Sequence, residues 1–521
     1  MSLPAFELRD LAGSTRRFPT GRPALLCFVK ADCPTCRLSL PLVEAAHRAV
    51  AEAVDVWVIG QDEDSAPLVR AHDLTVPLLD DGALRVSHRF AVEIVPTVVL
   101  ADGDGTEHLR FEGFDRADWQ GLLAACARLA RVPAPAIAWD RLPASRPGCG
   151  SRSVEPGIAE RLAAEAGGGR LGARPIEIPD AEDPFEFLFD QGLADGLPVV
   201  PPTPERVLRM LAGTRRDPAE IVAVVAPNMV PATVEKVAIN AVMAGCRPEY
   251  LPVVLAAVEA ACSNEFNLHG VLATTHVVGP VVIVNGPVRR RIGMNAGVNA
   301  LGQGNRANAT IGRALQLVVR NVGGGRPGEV DQAALGQPGK LGFCFPEHEE
   351  RSPWEPLHVE RGFARDDSTV TLFAGGAPIT IVDQLARDAE ALATSYGLVL
   401  AAMSHPKHYR YGDAVLIVPP EHADTFARSG WTKDQVRDGI QRASMRPVEA
   451  LVRDAVCAEG LPPAVAAKLE PGARLPKFGQ PESIRLVVAG GEAGKFGACL
   501  PGWTTSGPTT GSAITTRRIG E

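Results

Sequence analysis

No apolar run in this 521-residue chain approaches the ~20 residues that a membrane span requires, so a transmembrane protein is not expected. Positive charge is outweighed by negative, 53 Lys and Arg against 61 Asp and Glu for a formal net charge of -8. The basic runs Arg289-Arg290-Arg291 and Arg517-Arg518 are short. Nucleic acid and anionic membrane both demand clustered cationic surface, so neither is an expected partner. Cysteine is sparse as well, ten residues in all, too few for a disulfide-stapled secreted scaffold. The opening Met1-Ser2-Leu3-Pro4-Ala5 lacks a cationic stretch leading into an apolar one. Together these absences set the expectation of a cytoplasmic protein, in which a functional thiol is catalytic, redox-active or metal-bound. No Walker loop, GxGxxG fingerprint, GxSxG elbow or HExxH helix decides the chemistry, and no cofactor is expected.

What is present begins with length. A chain of this size exceeds one hydrophobic core and should divide into two to four domains. Residues 23–30, Pro-Ala-Leu-Leu-Cys-Phe-Val-Lys, read as a buried strand that runs directly into Cys33-Pro34-Thr35-Cys36. Leu38, Leu40, Leu42, Val43, Ala46 and Val50 then form a helical stripe, and Val54 to Ile59 a second buried strand. Glu93 to Leu100 leads through Asp102-Gly103-Asp104-Gly105 to His108-Leu109-Arg110-Phe111, a hairpin turned at residues that tolerate positive φ. A last amphipathic helix spans about Asp115 to Arg131.

A cysteine pair spaced CxxC at a helix start places the first sulfur near free backbone N–H groups and the positive end of the helix dipole, which favours thiolate. The second, one turn inside, can attack a mixed disulfide and release the partner. The expected chemistry is therefore thiol-disulfide exchange with Cys33 as nucleophile and Cys36 resolving, on a thiol or disulfide substrate or reductant. A zinc site would need two more ligands, and no second CxxC or nearby HxxxH exists, so no metal is expected. Residues 1–130 resemble the thioredoxin superfamily, particularly its thiol-disulfide interchange and alkyl-hydroperoxide-reductase-like branch, in the opening Pro4-Ala5-Phe6-Glu7-Leu8-Arg9-Asp10-Leu11, the dithiol and Val95-Pro96-Thr97. The resemblance implies a thioredoxin-like fold, roles in cell redox homeostasis or antioxidant chemistry, and Pro96 as the cis-proline that faces the dithiol and keeps a strand edge open to extended substrate. Asp32 stands where a tryptophan is usual; its charge opposes thiolate while Lys30 and Arg37 favour it. A peroxidase is the alternative, but Leu26 and Lys30 stand where the peroxiredoxin pattern has Pro and a hydroxyl residue.

Residues 131–180 turn to Pro, Gly, Ala and Arg and read as a linker, with one short helical stretch near Glu155 to Glu165. Within it Gly148-Cys149-Gly150-Ser151 offers an accessible thiol, a possible redox relay, with Ser153 and Glu155 placed to cap a helix behind it.

From 181 to 521 helical segments (204–212, 232–245, 250–262) alternate with strand-like runs (221–226, 279–284, 414–418, 484–489), which argues a larger α/β region, of one domain or of subdomains 181–365 and 366–521. Val199-Val200-Pro201-Pro202 and Ile417-Val418-Pro419-Pro420 hint at an internal duplication. Asn285, Asn305, Arg306, Asn308 and Arg313, among many glycines, are candidate binders of a small-molecule substrate, with a helix beginning at Thr310 to hold an anion. Cys344 to Arg361 gathers Cys344, Glu347, His348 and His358 with further carboxylates and arginines, a candidate acid, base, nucleophile and anion clamp. Cys149, Cys246 or Cys344 could accept electrons from the dithiol; the rival reading is a hydrolase or lyase using Glu347, His348 or His358. Cys27, Cys126 and Cys262 occupy apolar periodic positions expected in the core. Residues 195–365 also resemble a group of uncharacterised bacterial proteins through Leu197-Pro198-Val199-Val200-Pro201-Pro202-Thr203, Asn285-Gly286-Pro287, Arg306-Ala307-Asn308-Ala309-Thr310-Ile311-Gly312-Arg313 and Ser352-Pro353-Trp354-Glu355-Pro356, a resemblance that carries no activity.

Overall fold

The computed structural model describes residues 2–520 except 63, 156–157, 159–161, 163–170, 175, 180–181, 411 and 504–510. The chain forms two units, Met1–Gly168 and Gly169–Glu521.

The first unit is built on β3 (Ala24–Val29), all six residues buried. Burying each large apolar side chain contributes roughly 1.5–3 kcal/mol, so this strand belongs at the centre of the sheet. Two other strands run parallel to it in succession, β4 (Asp55–Gly60) and β5 (Leu78–Asp80), while on the other side β7 (Thr97–Ala101) pairs antiparallel with β3 and β8 (Glu107–Glu112) antiparallel with β7. The sheet order is β5-β4-β3-β7-β8. A hairpin of β1 (Phe6–Arg9) and β2 (Thr15–Phe18) precedes it. Helices α1 (Pro34–Val50), α2 (Ala66–His72), α3 (Arg85–Arg89) and α4 (Arg116–Ala130) fill the connections and the end. The hairpin expected around Asp102–Gly105 is the β7–β8 pair, and α4 is capped by Asp115, whose carboxylate accepts from the Ala117 and Asp118 amides, a cap that stabilises a helix by about 1 kcal/mol. Cys27 and Cys126 lie in the core as their periodicity implied.

The expected linker is in part folded chain. Ile137, Trp139 and Leu142 pack on the first unit's core. Two short strands follow: β10 (Ser145–Arg146) pairs with β9 (Phe114–Asp115), and β11 (Cys149–Gly150) pairs with β6 (Ile94–Val95). Such a segment is held by its backbone, so it carries no apolar periodicity to betray it. Ser151 caps a short 3-10 turn, Arg152–Val154; most of the helical stretch expected near Glu155 to Glu165 lies outside the described residues.

The second unit has two four-stranded sheets. One runs Phe343–Pro346, Gly279–Asn285, Thr369–Gly375, Thr515–Arg518; the other Ile379–Val382, Phe496–Pro501, Ala414–Val418, Ile484–Val488. The side-chain alternation of a strand explains how they pack. Val281, Ile283 and Phe373 of the first sheet share a core with Val415, Ile417, Val487 and Leu500 of the second, while Val282 and Val284 face a separate core of helices Val234–Ala244, Leu251–Ala261 and Arg306–Asn321. Leu416, Val418 and Leu486 face helices Ala389–Ala402, Pro420–Arg428 and Lys433–Ser444. The result is helices, sheet, sheet, helices. Because strands Thr369–Gly375 and Thr515–Arg518 return to the first sheet, a division at 365/366 does not describe this unit. Val199–Pro202 carries no strand, unlike Ala414–Val418, so the suggested duplication has no structural counterpart. No described helix is long and apolar enough to cross a membrane.

Candidate redox site

The site forms where β3 ends. Its buried strand delivers the chain to the start of α1, where Cys33 is the N-cap with extended backbone (φ -87, ψ 114) and Pro34 opens the first turn. Proline suits that position because its missing N–H would be unpaired there anyway. The Cys33 sulfur accepts from the Cys36 amide at 3.3 Å and lies 3.5 Å from the Val95 carbonyl, to which the thiol form donates. Cys33 and Cys36 are both fully buried. The Val95–Pro96 peptide is cis.

Hydrogen bonding governs the nucleophile. Donation from the Cys36 thiol, then from the Cys36 amide, the Cys149 thiol and the Thr35 amide, brings the Cys33 thiol down to about 5 against the opposing effect of burial. Burial, with the neighbouring Cys33 anion, drives the Cys36 thiol far up, so it stays protonated. Lys30 and Asp32 stand 3.6 Å apart as an ion pair, and Arg37 donates to the Ala31 carbonyl at 3.0 Å. The charges that the sequence set against each other thus engage nearby groups, and the hydrogen bonds set the thiolate. A helix start bearing a stabilised thiolate, a protonated thiol one turn in, and the Val95–Pro96 strand against the first sulfur, on a β5-β4-β3-β7-β8 sheet, decides the fold.

The N-terminal unit is thioredoxin-like.

No protein-family model matches the chain. The methylamine utilization proteins MauD of Methylobacillus flagellatus and Methylophilus methylotrophus are 31% identical over 113 residues and 32% identical over 108. Each match covers 20% of this chain, and 51% and 50% of the relatives, so the chain spans about half the length of the curated relatives it matches. Among solved structures, the thioredoxin domain of a thiol-disulfide oxidoreductase from Bacteroides vulgatus aligns at 16% identity over 24% of this chain and 94% of that one, TM-score 0.22. A secreted Mycobacterium tuberculosis disulfide oxidoreductase homologous to E. coli DsbE aligns at 23% identity over 24% and 96%, TM-score 0.21.

The thioredoxin-like unit holds a third thiol at the dithiol. Cys149, in β11, pairs across from Val95, the residue whose carbonyl contacts the Cys33 sulfur; interaction with Cys33, then burial, raises the Cys149 thiol. Residues 145–154 form a strap anchored along its length. Thr35 Oγ1 donates to the Pro147 carbonyl at 2.7 Å, and the Ser151 amide donates to the Glu93 carbonyl at 2.8 Å. Gln61 donates to Ser151 Oγ at 2.8 Å and accepts from the Arg152 amide at 3.1 Å, Ser153 Oγ donates to the Val92 carbonyl at 2.9 Å, and Arg152 pairs with Asp62 at 2.9 Å. Gly148 is required: a Cβ there would stand 2.4 Å from Ile94 Cγ2 and 2.6 Å from the Val95 oxygen. Thr35 and Gln61 were not legible as site residues, and Ser153, expected as a helix cap, instead bonds Ser151 and the Val92 carbonyl while Ser151 is the cap. The one signal was the Ser-rich stretch after Cys149.

In the second unit the candidate residues separate. Asn285 and Glu347 are fully buried and joined, Asn285 Nδ2 donating to Glu347 Oε2 at 2.7 Å and to Glu349 at 3.0 Å. Burial raises the Glu347 carboxyl. The binding residues expected beside Asn285 serve the fold instead. Asn305 caps a helix that begins at Arg306, four residues before the expected Thr310. Asn308 bonds the Asn295 and Ala300 carbonyls, Arg306 donates to the Gly245 carbonyl, and Arg313 forms a bidentate pair with Asp195. The charged run after Cys344 is likewise partnered: Arg289 with Glu349 and Glu350, Glu360 with Lys433 and Arg437, Arg351 with Asp424 and Glu492. His348 stands 3.6 Å from Glu350, and His358 is buried, its Nε2 3.2 Å from the Arg365 carbonyl. Cys344 and Cys246 lie in one apolar core; burial pushes Cys246 up to about 12 and Cys344 higher. Cys262 is half-buried against that core. A cleft of about 580 Å³, lined by Trp354, Glu360, Trp431, Lys433 and Arg437, takes part of its wall from the charged run.

Proposed function

We propose that the N-terminal unit is a thiol-disulfide oxidoreductase with Cys33 as nucleophile and Cys36 as resolving thiol. The observation that carries this is the pair's opposite protonation: one stabilised anion capping α1 beside one buried, neutral thiol. The Cys33 thiolate attacks one sulfur of a substrate disulfide, the substrate S–S bond breaks, and the departing thiolate takes a proton. Cys36 then gives up its proton, attacks the Cys33 sulfur and expels the second substrate thiolate. The substrate leaves as a dithiol, the pair is left as a disulfide, and an external dithiol restores it.

Reduction of insulin disulfides with dithiothreitol as the reductant tests this reading. Cys33→Ser should abolish the protein-dependent rate; turnover equal to that of the unaltered chain would overturn it.

Delivery of electrons to the C-terminal unit gets no support from Cys246 or Cys344, since an acceptor sulfur must be reached and ionised and burial opposes both. Glu347 is buried at least as completely, so an acid–base reaction of that unit on a small-molecule substrate gains no support from it either.

A further inference from the structure

We infer that the strap is a built-in substrate strand and that Cys149 is a third redox thiol, exchanging a disulfide with Cys33. The inference rests on the dithiol reading above and extends it to a residue outside the CxxC pair.

Three independent features place the strap in a substrate's position. First, β6 presents a strand edge beside the dithiol, and an exposed edge is where an extended peptide adds by backbone pairing. That edge is occupied by Cys149–Gly150, with Cys149 opposite Val95 and Gly150 opposite Ile94. Second, the residue paired with Val95 is a cysteine, and Val95 is also the residue whose carbonyl contacts the Cys33 sulfur. Backbone register therefore delivers Cys149 to the nucleophile. Third, the docking is specific. Ser151 and Ser153, both about 1% exposed, and Gln61, also 1% exposed, satisfy one another and the Val92 carbonyl. Buried polar groups of this kind are costly unless paired, so the strap has one seat and one register.

The exchange balances within the chain. Starting from the Cys33–Cys36 disulfide, Cys149 loses its proton and attacks the Cys33 sulfur. The Cys33–Cys149 bond forms, the Cys33–Cys36 bond breaks, and Cys36 takes up the proton. The oxidation level is unchanged, and the oxidising equivalent originates with the disulfide substrate. The consequence is a change of place: a disulfide between two fully buried sulfurs becomes one that includes the half-buried Cys149, where an external dithiol can attack. The strap also holds the edge that a foreign peptide would use.

Reduced Cys36→Ser protein treated with oxidised glutathione, quenched in acid and analysed by mass spectrometry, tests the inference. Cys33 attacks glutathione disulfide and retains one glutathione; if Cys149 then attacks Cys33, glutathione departs and the chain is left two hydrogens lighter, with a Cys33–Cys149 bridge between its peptides. That bridged product is expected as the main species. The Cys36→Ser, Cys149→Ser double variant should keep one glutathione on Cys33. A single variant that retains glutathione as fully as the double variant overturns the third thiol and leaves the dithiol reading standing. A double variant that takes up no glutathione sinks the dithiol reading and this inference with it.

Discussion

Cys149 faces Val95 across an antiparallel strand pair, and the Val95 carbonyl oxygen lies 3.5 Å from the Cys33 sulfur. Residues far apart in sequence are thereby fixed around one atom by backbone hydrogen bonds. The reactivity of that atom and its accessibility are then separate properties. Hydrogen bonding at the helix start chiefly sets the first and strap docking the second, with Cys149 contributing to both.

The Cys33 anion should persist far into acid. Its pKa is depressed from 9.0 to about 5, so the anion is present above that value and is protonated as pH falls through it. Ultraviolet thiolate absorbance of the reduced protein should therefore decline with a midpoint near 5, and Cys33→Ser should remove that transition. A midpoint near 9 would mean that the hydrogen bonds at the helix start do not set the ionisation.

Gly148→Val should release the strap. The new side chain would meet the Val95 carbonyl and Ile94 at distances that no real Cβ adopts, so the β6–β11 pair must open. Alkylation of Cys33 by a maleimide should accelerate by about tenfold or more, equivalent to about 1.4 kcal/mol of lost closure, with helix content unchanged by circular dichroism. An unchanged rate would show that the strap does not guard the nucleophile.

Glu44 should stabilise the first unit in its ionised form. Against burial, the Thr75 hydroxyl, the Val76 amide, Arg48 and the Thr75 amide hold its carboxyl at about 2, below the ordinary 4.5. A depressed pKa contributes stability that is complete above the unfolded value and disappears as pH falls through the folded one. Glu44→Gln should cost about 1–3 kcal/mol at neutral pH, read as faster amide hydrogen exchange at Thr75 and Val76. The gap between variant and unaltered chain should close between pH 4.5 and 2.

Glu360→Ala should destabilise the second unit rather than alter a reaction. Lys433 donates to Glu360 at 2.8 Å and Arg437 also pairs with it, and both cations are nearly buried. Removing the shared carboxylate leaves Lys433 only the Glu355 carbonyl, while Arg437 keeps Asp434 and the Ile484 carbonyl, so one desolvated charge loses its counter-ion, an effect of about 3 kcal/mol. Thermal unfolding should register it as a lower transition temperature, which Glu360→Gln would only partly restore.

Local patterns were legible wherever a short stretch carries its own physics. The apolar run at 24–29, the CxxC spacing and the Asp-Gly turn each specify a local geometry, and together they sufficed for the strand-dithiol-helix unit and the β7–β8 hairpin. The same holds in the second unit, where strands Gly279–Asn285, Ala414–Val418 and Ile484–Val488 lie where apolar runs placed them. The charged run from Glu347 to Arg361 misled, because a sequence shows which charges exist but not which are already paired. Most of those partners, among them Arg289, Lys433, Arg437 and Glu492, come from distant segments.

The sequence by itself determined the two sulfurs and the helix that ionises one of them, since thiol spacing and helix polarity act within a few residues. Only the tertiary structure decided that Cys149 belongs to the same site. Its strap is held by backbone pairing and by Thr, Ser and Gln contacts spanning 61 to 112 positions along the chain, and such pairing leaves no periodic trace in the residues that make it.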